Sequence, residues 1–165
     1  MLKLRLIGDP ILRRETEEVQ VFDQSLKDFV KQMIKKMHRE DGIGLAAPQI
    51  GHSKKVLVVD ISAIEEEAEP QAFINPEIVE GIGASVVEEG CLSIPEVRED
   101  VERPETIKLK YLDENGDSFE NEFDGWMARV LQHEIDHLNG VLFVDLISPI
   151  KRQLLISQKM IPEKY

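Results

Sequence analysis

The chain has 165 residues, 42% of them hydrophobic, which suits one domain around one core. Charged residues make up 32% and sum to a net charge of −12, which argues against a broad electrostatic grip on nucleic acid, DNA included. Cys91 is the single cysteine, which excludes an internal disulfide, and no apolar run is long enough to span a bilayer.

The opening residues Met1-Leu2-Lys3-Leu4-Arg5 interrupt their apolar side chains with charge and offer no signal-peptide core, so the cytoplasm is the expected compartment. Leu26, Phe29, Val30, Met33, Ile34 and Met37 recur at helical spacing and predict a helix over residues 25–41. Ser25 with Asp28 reads as its capping box, and Gly42 as its stop. Residues 42–51 hold three glycines and two alanines. On composition alone this is equally a tight turn or a place where backbone approaches a ligand. It follows a helix rather than a strand, so it is not a phosphate-binding fingerprint.

Residues 55–60 are short and valine-rich and read as a buried strand. The stretch 62–71, with Glu65-Glu66-Glu67, reads as a solvated loop. Residues 106–112 and 118–123 alternate as strands and are joined through Asn115-Gly116, which predicts a β-hairpin. A second helix is expected over 124–138, with Asp124 as N-cap and Asn139-Gly140 as stop, and it is apolar on most sides. A third helix opens at Ser148-Pro149 and is expected to run to about Met160. Strands followed by a central helix, without regular β-α alternation, argue for the α+β class in a single unit over 1–165.

The central helix carries His133-Glu134-Ile135-Asp136-His137. Histidines four apart share a helix face and can reach one metal ion, with Glu134 beside them as a general base. Two histidines do not complete a catalytic site, which normally has three protein ligands and an open position. No histidine follows His137, and the later carboxylates Asp145 and Glu163 sit in no ligand motif. Cys91, within Glu89-Gly90-Cys91-Leu92-Ser93, is the better third ligand, giving a soft site suited to zinc or ferrous iron. Cys91 as a nucleophile with His133 as base is the alternative, but it leaves Glu134 and His137 unexplained.

Together Gly42–Gln49, Glu89–Ser93 and Gln132–His137 resemble the three motifs of peptide deformylases, complete and in order, across nearly the whole chain. The resemblance implies antiparallel sheets packed around a metal-binding helix, with an N-terminal and a C-terminal helix. It implies that Cys91, His133 and His137 bind a divalent metal, natively Fe2+, with Zn2+, Ni2+ or Co2+ as occupants in a preparation. Glu134 would be the general base and acid, and Gln49 with the Leu92 N–H would form an oxyanion hole. The substrate would be an N-formyl-methionyl nascent polypeptide, losing its formyl group as formate. Ile43, Glu89, Trp126 and Val130 would shape the methionine pocket, and Gly44 and Gly90 would bond an extended peptide. Plain core packing accounts equally well for Trp126 and Val130.

Asp136 is read either as a partner of a ligating histidine or as one half of a salt bridge, with Arg103 the partner by resemblance. Residues 148–165 hold Lys151, Arg152, Lys159 and Lys164 against Glu163, which reads as a solvated face or as a ribosome contact of the kind the resemblance implies. Two rival functions remain: an endopeptidase, which would need a downstream third ligand, and a structural metal protein, which would need a fourth.

Overall fold

The computed structural model describes residues 2–165. Helix α1 (Gln24–Arg39) begins one residue before its expected start. Its N-cap is Asp23, which has extended backbone and accepts the Leu26 N–H, so the Ser25–Asp28 capping box does not form. Ser25 already lies inside the first turn, and Asp28 accepts from the Gln24 side chain instead. At the other end Asp41, with φ 56°, takes the left-handed position expected of Gly42.

Seven strands follow: β1 (Gly44–Ala46), β2 (Val56–Val59), β3 (Gln71–Ile82), β4 (Ser85–Cys91), β5 (Ile94–Arg103), β6 (Thr106–Leu112) and β7 (Ser118–Phe123). All pairings between them are antiparallel, in a five-stranded sheet ordered β1-β2-β3-β6-β7 and a separate β4-β5 hairpin. The predicted strand at 55–60 and the 106–123 hairpin are both present, and Gly116 takes the left-handed position in the connecting turn. Strands β1, β3, β4 and β5 lack a simple period-2 signal. Pro76 and a register shift interrupt β3, and the charged β5 turns at Glu96, which has φ 64°.

Helix α2 (Gly125–Leu138) has Asp124 as N-cap and stops at Asn139, with Gly140 left-handed beyond it. Helix α3 (Pro149–Ser157) is capped by Ser148 and ends before Met160, where Lys159 turns left-handed. The α+β class therefore holds, with α2 at the centre. Strand β2 explains why. Its Leu57 and Val59 join Phe73, Leu131 and Ile135 in the cluster against α2, while Val56 and Val58 join Val30, Met33 and Met37 in the cluster under α1. Burial of both faces accounts for the unbroken apolar run. A third cluster joins Ile94, Val97 and Val101 of β5 to Phe143 and to Leu155 of α3. Among the described residues no helix is long and apolar enough to cross a membrane.

Candidate metal centre

Helical spacing sets His133 and His137 one turn apart on α2, with 8% and 1% exposure. Strand β4 delivers the third donor. Its ladder with β5 shifts register between Gly90 and Cys91, and the Cys91 Sγ lies 3.3 Å from His137 Nε2. Ligand atoms of Cys91, His133 and His137 all lie within 4.8 Å of one another. Beside them the Glu134 side chain is buried, and its Oε1 has no hydrogen-bond partner; nor has His137 Nδ1. One thiol and two imidazoles converging next to an orphaned carboxylate oxygen fit a borderline-soft divalent ion with an open coordination position.

Charge in the centre is unevenly shared. Burial alone would lower the His133 pKa, but Glu134, Cys91 and Glu89 around it raise it well above the usual imidazole range. Burial, with His133 and Arg103 nearby, holds His137 well below that range. Burial pushes Glu134 up to about 7, against the pull of His133. A cation among the donors would take the place of the proton on His133.

Behind His133 lies a charged network. Its Nδ1 donates to Glu89 Oε1 at 2.9 Å. Arg103 donates to both Glu89 oxygens, at 2.6 and 3.0 Å, and Arg129 to Oε2 at 2.8 Å. Burial would raise the Glu89 pKa, but these hydrogen bonds from His133 and Arg103 bring it down to about 2. Arg103 also donates to Asp136 at 2.7 Å. Glu89 therefore takes part in a buried network behind His133 as well as bordering the cavity. Both its oxygens are hydrogen-bonded, Oε1 to His133 and Arg103 and Oε2 to Arg103 and Arg129. Asp136 supports no ligating histidine and instead ends the chain at Arg103.

Gln49 sits in the 3-10 turn Ala47–Ile50 directly after β1. Its Oε1 accepts the Ala46 N–H at 2.9 Å, which aims Nε2 at Ser93 Oγ, 3.1 Å away, and at Cys91 Sγ, 3.5 Å away. The segment 42–51 is therefore a short strand and a turn packed against the centre, as backbone approach to a ligand requires.

A cavity of about 460 Å³ opens over the donors. Ile43, Gly44, Gln49, Glu89, Gly90, Cys91, Leu92, Trp126, Val130, His133 and Glu134 all border it, so of the expected site residues only His137 lies outside its lining. Trp126 is half-exposed and Val130 buried. A Cβ on Gly44 would stand 2.6 Å from Glu134 Oε2 and 2.8 Å from Val130 Cγ1, so glycine is required there by close approach. Arg129, Asp41, Glu88, Glu96 and Arg98 also line the cavity, and Ser93 holds the Gln49 amide; the sequence alone assigned none of them to the site. Arg129 did leave a signal, since an arginine buried within an apolar helix needs a counter-charge.

The polypeptide deformylase family model matches residues 1–153. A peptide deformylase of Thermotoga maritima is 47% identical over 161 residues, covering 97% of this chain and 95% of that protein. One from Mesorhizobium japonicum is 48% identical over 156 residues, covering 94% of this chain and 89% of that protein. A crystal structure of a Synechococcus elongatus peptide deformylase in complex with actinonin superposes with a TM-score of 0.92 at 43% identity, covering 98% of this chain and 89% of that one. On this evidence the chain belongs to the polypeptide deformylase family of enzymes.

Proposed function

We propose that this enzyme hydrolyses the N-terminal formamide of formyl-methionyl nascent polypeptides, releasing formate, and that it depends on a divalent metal held by Cys91, His133 and His137. The observation that carries this reading is the buried, unpartnered Oε1 of Glu134 beside the three converging donors at the cavity wall. Cys91, His133 and His137 would hold the ion, Fe2+ natively with Zn2+, Ni2+ or Co2+ as substitutes, and when bound it would supply Lewis acidity to the reaction.

The chain's own residues do the rest. Glu134 takes a proton from the water as its oxygen bonds to the formyl carbon. The Gln49 amide and the Leu92 N–H stabilise the charge that develops on the formyl oxygen, and one such donor is worth roughly 10²–10³ in rate. The carbon–nitrogen bond then breaks, Glu134 returns its proton to the departing amine, and formate and a free N-terminus leave. Ile43, Trp126 and Val130 receive the methionine side chain, and Gly44 and Gly90 offer backbone to an extended peptide. Glu89, Arg103 and Arg129 hold His133 in place.

The catalytic unit in this reading spans residues 1–165. Its work lies in the cytoplasm, with the basic residues of 148–165 touching the ribosome. Equal, salt-insensitive ribosome sedimentation by the whole chain and a 1–147 truncation would count against that contact. A formyl-methionyl peptide assayed beside casein separates the reading from an endopeptidase: formate release without casein cleavage supports it, and casein cleavage without formate release overturns it.

A further inference from the structure

Gln49 and Leu92, the two proposed donors to the formyl oxygen, come from separate sheets. Gln49 stands in the turn after β1 of the five-stranded sheet, and Leu92 in the turn between β4 and β5. Among the described residues the β4-β5 hairpin pairs with no strand of the larger sheet, so strand pairing does not set the distance between the donors. Alternate residues of the N-terminal segment span the gap. The Arg5 N–H donates to Gln49 O at 2.7 Å, and the Ile7 N–H donates at 2.8 Å to the carbonyl of Ser93, the residue after Leu92. The segment is itself anchored on both sides. Leu2 and Leu4 pack on the cluster under α1, and Ile7 packs on the cluster of β5 and α3. The Arg5 side chain lies so close over Gly51 that a Cβ there would stand 2.9 Å from its Nη2.

Side chains repeat the link. Ser93 is fully buried, and its Oγ accepts from Gln49 Nε2 at 3.1 Å, while the Ala46 N–H holds Gln49 Oε1 at 2.9 Å. With its oxygen and one amide hydrogen fixed, Gln49 has a single N–H left for the Cys91 side, where Sγ lies 3.5 Å from Nε2. We propose that residues 5–7 and Ser93 form a strap that fixes the spacing of the two donors across the sheets. Arg5, Ile7 and Ser93 are then positioning residues, acting through Gln49 and Leu92. The inference rests on the proposed reaction, in which both donors meet charge that develops only in the transition state. Loosening the strap therefore lowers kcat rather than raising KM.

The test is steady-state formate release from a short formyl-methionyl peptide by the metallated full chain, comparing the parent with two variants. Arg5→Pro deletes one N–H of the strap, and Ser93→Ala deletes the side-chain anchor. Each is expected to lower kcat at least about tenfold, with KM within about threefold of the parent and metal content unchanged. In a Gln49→Ala background the loss caused by Ser93→Ala should shrink to about twofold or less, because the amide it anchors is gone. Equal fold losses in the two backgrounds would mean that Ser93 serves the fold alone, and would overturn the proposal. Parental kcat in either folded variant, or a loss carried by KM or by metal release, would overturn it too. Ser93→Ala carries the test should Arg5→Pro fail to fold. Absence of formate release from the metallated parent overturns the reaction itself, whereas release that both variants match overturns the strap alone.

Discussion

His133 donates from Nδ1 to Glu89 Oε1 at 2.9 Å, and that bond leaves Nε2 of the ring as the nitrogen available to the Cys91–His137 side. The relationship makes a residue that touches no metal a determinant of the metal centre. Glu89→Gln is expected to lower metal affinity about 10–100-fold, measured by competition with a chelator. Glu89→Ala also strands the buried Arg129 without its counter-charge and leaves the buried Arg103 with Asp136 alone. It is expected to cost about 3–5 kcal/mol and roughly 10 °C in melting temperature. A Glu89→Ala variant that melts like the parent and retains its metal would refute this role.

Gly44→Ala brings a methyl group against Glu134 Oε2 and Val130 Cγ1. Neither contact can be kept without displacing the carboxylate or shifting β1. Turnover is expected to fall at least about tenfold, while the far-ultraviolet circular dichroism spectrum stays the same. Unimpaired turnover would show that β1 yields more easily than its pairing with β2 suggests.

Glu134→Gln removes the base and keeps the shape of the side chain. Metal content should match the parent, and formate release should fall by about 10²–10⁴. Near-parental release would remove Glu134 from the reaction, whereas loss of metal would make it part of the ligand set.

The pair Arg13–Asp145, at 2.6 Å, ties the N-terminal segment to the turn after α2, and Arg13 also donates to Gly140 O at 2.8 Å. Burial would raise the Asp145 pKa, but the Arg13 hydrogen bonds and the Leu142 N–H lower it overall. A carboxyl depressed in the fold contributes stability above its unfolded pKa, about 4, and that contribution is lost as pH falls further through the folded value. Asp145→Asn should therefore cost about 1–2 kcal/mol at pH 7, and its deficit should shrink towards pH 3. A deficit independent of pH in urea titrations would contradict the assignment.

The helices and the pairing of His133 with His137 on one helix face were legible because their signals are local. The i, i+4 histidines, the apolar period of α1 and the Asn115-Gly116 turn each lie within a few residues. Cys91 was legible by chemistry, since two histidines lack a third donor. Strand β1 was hidden because Gly44–Ala46 is held by pairing with β2 rather than by its own propensity. The roles of Glu89 and Arg129 were hidden because their partners lie 44, 14 and 40 positions apart in sequence, a proximity that only the β4-β5 hairpin packed on α2 creates.

In the proposed reaction Cys91, His133, His137 and Glu134 form a metal-dependent deformylating centre. The most direct test is formate release from a formyl-methionyl peptide by anaerobically purified protein, with metal content determined on the same sample. Release is expected in proportion to metal bound, abolished by chelation and restored by Fe2+, Ni2+ or Co2+. Formate release that persists at full rate after the metal is removed, or none from fully metallated protein, would contradict it.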